Sequence, residues 1–322
     1  MTRFDLFLFA WGAAMPFFAE DQMSGVQSMD GVYTLAPGPR NEGLAVLLWS
    51  DKDYKTFHEV PWIDVASIRT RWASLEPKDQ EFDWKTFDRG LAEVKKYNAE
   101  HPGAHRTLAI RVMGGEHIPP WFEEKGVKLY TTQTTGGHAE LKTIRTSVPF
   151  DNPEFIKQLR EVYRAMYERY KDEPLVTLYH GTWSAGPWDE VFIPYKNKGF
   201  SEPDGATPEK YIQGSIEQLD VLIDEFCLKG KAAELPYSGS FARDKKVFNF
   251  TGPLTDHIVK RLGKRSPFLY IQSNGWGCGK RDWYTVAWDH EQDIYDAYGK
   301  VNIALQAIGS NGGGNWVKGL CT

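Results

Sequence analysis

Residues 174–194 read PLVTLYHGTWSAGPWDEVFIP, and their order decides how the rest of the chain is taken. Val176, Leu178 and Tyr179 have the β-branched and aromatic character of a buried strand. Gly181, Gly186 and Pro187 then break the pattern and turn the strand into a loop. That loop presents two adjacent carboxylates, Asp189 and Glu190, with Trp183 and Trp188 beside them. A carboxyl next to a flat apolar ring is the combination needed to cleave a sugar. The ring stacks on the apolar face of a pyranose, and the carboxyl moves a proton at the glycosidic oxygen. The same stretch also reads as a loop with core tryptophans and solvated acids, so the flanking sequence has to choose.

Working outward, a strand, loop and helix rhythm recurs on both sides. Upstream, residues 44–49 (LAVLLW), 66–72 (ASIRTRW) and 108–113 (LAIRVM) are strand candidates. Downstream, 235–240, 268–272 (FLYIQ) and 301–308 (VNIALQAI) continue the series. Helices are predicted over 84–98, with Phe87, Leu91 and Val94 on one face, and over 153–170, where Asn152 caps and Pro153 opens the first turn. Further helices are predicted over 208–227, with Ile212, Ile216, Leu219, Ile223 and Phe226 in helical period, over 255–263 with Gly263 as stop, and over 289–298. The Thr-rich stretch 126–149 reads as a long loop or a short hairpin over the strand ends.

Strands that alternate with helices imply a parallel sheet with right-handed crossovers. Neither GxGxxG nor GxxxxGK[ST] occurs, so a nucleotide-binding fold lacks its signature. The expected fold is α/β, a (β/α)8 TIM barrel over residues 30–322, with its chemistry on the loops that follow the strands. Glu76, Glu116, Glu190, Trp276 and Trp316 all fall on such loops. Only seven strands are counted. Either one is unread, or the chain lacks the barrel's last strand and helix, which would expose two sheet edges.

Composition narrows the class. With 41% hydrophobic and 25% charged residues in 322, the chain is ordinary for a globular protein. A net charge of -5 leaves no footprint for nucleic acid. The 12 tryptophans favour a groove that binds by stacking. Residues 1–20 read as a secretory signal peptide: Arg3 gives a positive start, and an apolar run over 6–19 follows that is too short to span a bilayer. The alternative is a buried N-terminal segment of the fold. The signal reading implies a secreted or periplasmic protein without stable membrane insertion. The three cysteines have no metal-ligand spacing, and the eight histidines form no HExxH or HxH, so neither metal nor cofactor is expected.

At residues 69–84, RTRWASLEPKDQEFDW, the chain resembles the clan-A glycoside hydrolases, nearest to the β-galactosidase-like and agarase-like barrels. IPPWF at 118–122, VPFDNPEF at 148–155 and WDE at 188–190 extend the resemblance over most of 43–194. The second half resembles the family only in its strand and helix rhythm. The resemblance implies retaining hydrolysis of an oligo- or polysaccharide, with Glu190 as general acid/base; Asp189 precedes it where the family often has Asn. It also implies a nucleophilic Glu at the end of the seventh strand, and Ala307 occupies that place. Three readings follow. The chain is a variant inactivated at its nucleophile; or a natural barrel that binds sugar without cleaving it; or a different register in which Glu116, Asp282 or Asp289 serves. Expected sugar-binding residues are Trp188, Asp189, Glu116, His117, Asn274, Trp276, Trp316 and Arg71. Glu76 reads as a turn holder, and Arg69, Arg71 and Arg111 as partners of carboxylates such as Glu76 or Glu190. His180 reads as a core histidine held by hydrogen bonds, and Trp121 as loop packing or platform.

Overall fold

The computed structural model describes residues 8–11, 44–48, 51–60, 63–134, 142–146, 150–184, 207–237, 241–243, 246–248, 251–276 and 297–307. In chain order the strands are β1 (Leu8–Trp11), β2 (Leu44–Leu48), β3 (Val65–Arg71), β4 (Thr107–Met113), β5 (Tyr130–Thr134) and β6 (Lys142–Thr146). They continue with β7 (Val176–His180), β8 (Ala232–Tyr237), β9 (Phe241–Arg243), β10 (Lys246–Phe248), β11 (Leu269–Trp276) and β12 (Asn302–Ala307). The helices are α1 (Asp51–Glu59), α2 (Trp72–Leu75), α3 (Lys85–Glu100), α4 (Pro153–Tyr170), α5 (Pro208–Glu225) and α6 (Thr251–Leu262).

Eight strands close into a barrel in the order β1-β12-β11-β8-β7-β4-β3-β2. Seven of them, β2 to β12 around the ring, run parallel, as the α/β barrel reading expects. The eighth place is taken by β1, which pairs antiparallel with both β12 and β2. Leu8 registers with Ala307 on one side and Val46 on the other. Part of the run read as a leader therefore stands in the gap, and the backbone groups at both exposed edges find partners there.

Strand residues alternate between two cores, as a period of two requires. Ile68, Ile110, Tyr179, Leu235 and Ile271 pack outward against helix residues such as Phe87, Val94, Tyr163, Leu219 and Ile258. Leu47, Val65, Ala109, Leu178 and Ala232 form a separate cluster inside the barrel, with Tyr270 against it. Burial on both faces explains why these strands read as continuous apolar runs rather than alternating ones. The interior alternation then continues upward into polar residues.

Helix starts follow their local chemistry. Asn152 Oδ1 accepts from the Phe155 amide at 3.0 Å and Pro153 fills the first helical position of α4. Thr207 Oγ1 does the same for the Lys210 amide at the start of α5. Within the stretch 126–149, β5 and β6 pair antiparallel, Tyr130 with Thr146 through Thr134 with Lys142. Some boundaries differ from the sequence reading: β8 begins at Ala232 rather than at 235, α6 begins at Thr251 rather than at 255, and β11 runs on to Trp276. Helix α1 was not legible, because DKDYKTFHE is largely polar. Most of the helix expected over 289–298 lies outside the described residues.

Candidate functional site

The parallel strands aim their C-terminal ends at one mouth. At the exit of β3, Arg71 is exposed and the chain turns through α2. Glu76 closes that turn. Its carboxylate accepts from Trp72 Nε1 at 2.7 Å and from the Gln80 amide at 2.8 Å, while its carbonyl accepts from Trp121 Nε1 at 3.1 Å. Glu76 is buried, and burial pushes its carboxyl above the ordinary value against the pull of those two donors. These contacts match the turn-holding role. Trp121 is buried and stacked on Phe122 with ring centroids 4.6 Å apart, so it packs the loop.

At the exit of β4, Gly115–His117 forms a single 3-10 turn that carries Glu116 and His117. His117 Nε2 lies 3.6 Å from Glu116 Oε1, and both side chains are partly buried. Two glycines make this exit possible. A Cβ on Gly114 would sit 2.6 Å from the Trp183 carbonyl oxygen, and Gly115 has φ +54°. The close approach lets the Gly114 amide donate to Thr182 Oγ1 at 2.7 Å and the Gly115 amide donate to the Trp183 carbonyl at 3.0 Å.

Trp183, at the exit of β7, corrects the sequence reading. It was expected to offer a flat surface beside the acids. Instead its indole is 1% exposed and its Nε1 donates to the Pro236 carbonyl at 2.8 Å. It is part of the outer core, not a sugar platform.

Inside the barrel, one step below the exits, the interior alternation turns polar. Arg111 registers with His180 and His180 with Glu234, and Gln272 follows on β11. Arg111 Nη2 lies 2.6 Å from His180 Nε2 and donates to Gln272 Oε1 at 3.2 Å. His180 Nδ1 lies 3.5 Å from Glu234 Oε2. Arg69 registers beside Arg111 and is also buried. His180 is thus a core histidine, as expected. Glu234 and Gln272 were not anticipated. Reading the fifth strand from Leu235 left Glu234 outside it; starting that strand three residues earlier would have put Glu234 on the interior alternation.

On β11, Asn274 registers with Gln306 and Trp276 with Ala307, with a register shift between them. Tyr270 and Gln272, both on the interior alternation, register with Asn302 and Ala304 on β12. The next position on that alternation is Gln306, and Ala307 follows it as the last residue of the strand. Trp188, Asp189, Glu190 and Trp316, with Asp282 and Asp289, lie outside the described residues. Among the described residues no group of three or more His, Cys, Asp or Glu could hold a metal ion. No described helix is long and apolar enough to cross a membrane.

Comparison with known proteins bears on this geometry. Residues 48–182 match the family model of glycoside hydrolase family 42, described as beta-galactosidase. No curated protein matches the chain. Among solved structures, the β-galactosidase of the psychrophilic Marinomonas ef1 shares 12% identity at a TM-score of 0.44, covering 73% of this chain and 41% of that one. The β-galactosidase of Bacillus circulans sp. alkalophilus shares 14% at 0.41, covering 79% and 48%. Endo-glycoceramidase II of Rhodococcus sp. shares 13% at 0.41, covering 83% and 69%. The chain thus spans less than half the length of these two β-galactosidases. Over residues 48–182 the chain is similar to family 42 of the glycoside hydrolases, and its closed eight-stranded barrel is the α/β barrel fold expected from the sequence.

Proposed function

We propose that the chain is a glycosidase barrel that acts on O-glycosidic bonds of an oligo- or polysaccharide by the retaining route. The observation that carries this reading is the family match over 48–182, which ends on the strand exit leading to Glu190. In this reading Glu190 protonates the leaving oxygen and then activates water. A retaining enzyme needs a second carboxylate about 5 Å away to form the glycosyl-enzyme. The end of β12, NIALQA, supplies none, and Ala307 stands where the nucleophile is expected. The sugar binds between Glu116 and His117 at the β4 exit and Asn274, Trp276 and the loops bearing Trp188 and Trp316. Arg71 and Asp189 contribute at the rim. Residues 1–20 are read as part of the barrel rather than as a removed leader, a reading that the pairing of Leu8–Trp11 with β2 and β12 supports and N-terminal sequencing of the mature protein tests.

The test is chemical rescue. With 2,4-dinitrophenyl β-D-galactopyranoside or the glucoside, azide should take the place of the missing nucleophile and yield the α-glycosyl azide. Ala307→Glu, or Gln306→Glu on the neighbouring position, should then hydrolyse without azide, and adding Glu190→Gln should suppress cleavage of unactivated glycosides. If neither azide nor either carboxylate restores turnover on any glycan the protein binds, the hydrolase reading fails. The acid-free end of β12 favours one other reading, a barrel that binds glycans without cleaving them. That reading expects retention on a glycan gel and no product under any of these conditions.

A further inference from the structure

We propose that His180 and Glu234 are positioning residues that hold the Arg111 guanidinium across the barrel interior, directly beneath the mouth. A guanidinium only donates, so the 2.6 Å contact makes His180 Nε2 the acceptor and puts the ring proton on Nδ1. Nδ1 is the nitrogen that faces Glu234 Oε2 at 3.5 Å. The order is therefore carboxylate, imidazole, guanidinium, amide, running from β8 through β7 and β4 to Gln272 on β11. Each member selects the state of the next. The carboxylate fixes the imidazole tautomer, that tautomer offers its lone pair to the guanidinium, and Gln272 holds the same Nη2 from across the interior.

Stability alone does not call for this layer. Replacing buried ionic groups by apolar ones of similar volume is often neutral or favourable. The layer just below is apolar, built of Ala109, Leu178 and Ala232 from the same strands, so this barrel accommodates apolar filling there. All four polar members are nearly or fully buried: His180 and Gln272 at 0%, Arg111 at 1% and Glu234 at 3% exposure. The functional consequence rests on the proposed glycosidase reading. In the Ala307→Glu or Gln306→Glu chain, a cation fixed beneath the mouth favours the ionised form of the installed carboxylate, which must attack as an anion.

Nuclear magnetic resonance of the full chain tests the assignment without requiring turnover. Uniformly 13C,15N-labelled protein is used. The His180 ring nitrogens are identified by their loss in His180→Gln and the Arg111 Nη signals by their loss in Arg111→Lys. The expected wild-type pattern is a Nδ1-protonated His180 and separate, slowly exchanging Arg111 Nη signals. His180→Gln should keep the Arg111 signals separate, because an amide can accept from Arg111 and donate to Glu234. His180→Leu should collapse them into one averaged signal, and Glu234→Gln, which preserves shape, should broaden them if the leucine variant does not fold. An Nε2-protonated or cationic His180, or Arg111 signals unchanged in both variants, overturns the proposal. A chain that shows the expected pattern yet gives no product with azide or with either installed carboxylate on any glycan it binds counts against the glycosidase reading and supports the positioning assignment.

Discussion

Replacing Trp183 by phenylalanine separates a core role from a sugar platform. The indole is 1% exposed, and its Nε1 serves the Pro236 carbonyl at 2.8 Å. Phenylalanine keeps most of the ring volume but cannot donate. A buried carbonyl left without its donor costs about 1–3 kcal/mol. The apolar area lost with the smaller ring adds about 1 kcal/mol. The expected loss is then about 2–4 kcal/mol. For a chain of this size that corresponds to a fall in Tm of roughly 3–6 °C. Urea unfolding followed by circular dichroism measures the first quantity, and a thermal scan the second. Glycan affinity of the folded variant should stay at the wild-type value, since no face of the indole is open to a sugar. Unchanged stability together with weakened glycan binding would refute the reasoning, because that is how a stacking platform behaves.

Gly214→Ala should also destabilise: its Cβ would lie 2.4 Å from the Phe150 carbonyl carbon and 2.5 Å from the Asp151 amide nitrogen, backbone that cannot rotate away. Overpacking of about 1–3 kcal/mol exceeds the gain in helix propensity of about 1 kcal/mol, so the urea midpoint should fall, and a rise would show that α5 shifts freely off the start of α4. Glu76 should make its own contribution to pH dependence. Its folded carboxyl titrates above the ordinary 4.5, so the protonated form is the one the fold favours, and stability drops as pH rises from 4.5 through the raised value. Subtracting the Glu76→Gln unfolding profile from the wild type should reveal that drop, and a difference that rises with pH in the same window would reverse the assignment.

Much of the barrel was legible because its cause is local. LAIRVM and FLYIQ are apolar on both faces, as strands between an interior and a helix layer must be. Asn152 and Pro153 mark the start of α4 within a single turn. What could not be read depends on contacts distant in sequence. Arg111 meets residues 69 and 161 positions away, and nothing near it in the chain announces either. Depth was equally hidden. Trp183 follows a strand as an exposed platform would, and only partners distant in sequence, the Phe150 ring and the Pro236 carbonyl among them, mark it as core. The eighth strand escaped because Leu8–Trp11 has the composition of a leader, and pairing across the gap is a property of β2 and β12 rather than of the segment itself.

The bonds that join the exits of β4 and β7 also say how the mouth can breathe. The Gly114 and Gly115 amides are held by Thr182 and Trp183, and the Thr182 amide is held in turn by the Tyr163 hydroxyl at 2.8 Å. These amides lie beyond the strand ends, where hydrogen exchange is usually fast. Here they should exchange as slowly as the strands themselves. The turn with Glu116 and His117 and the start of the segment leading to Glu190 therefore share one rigid anchor. On the proposed glycosidase reading, a glycan that enters the mouth meets that wall as a fixed template.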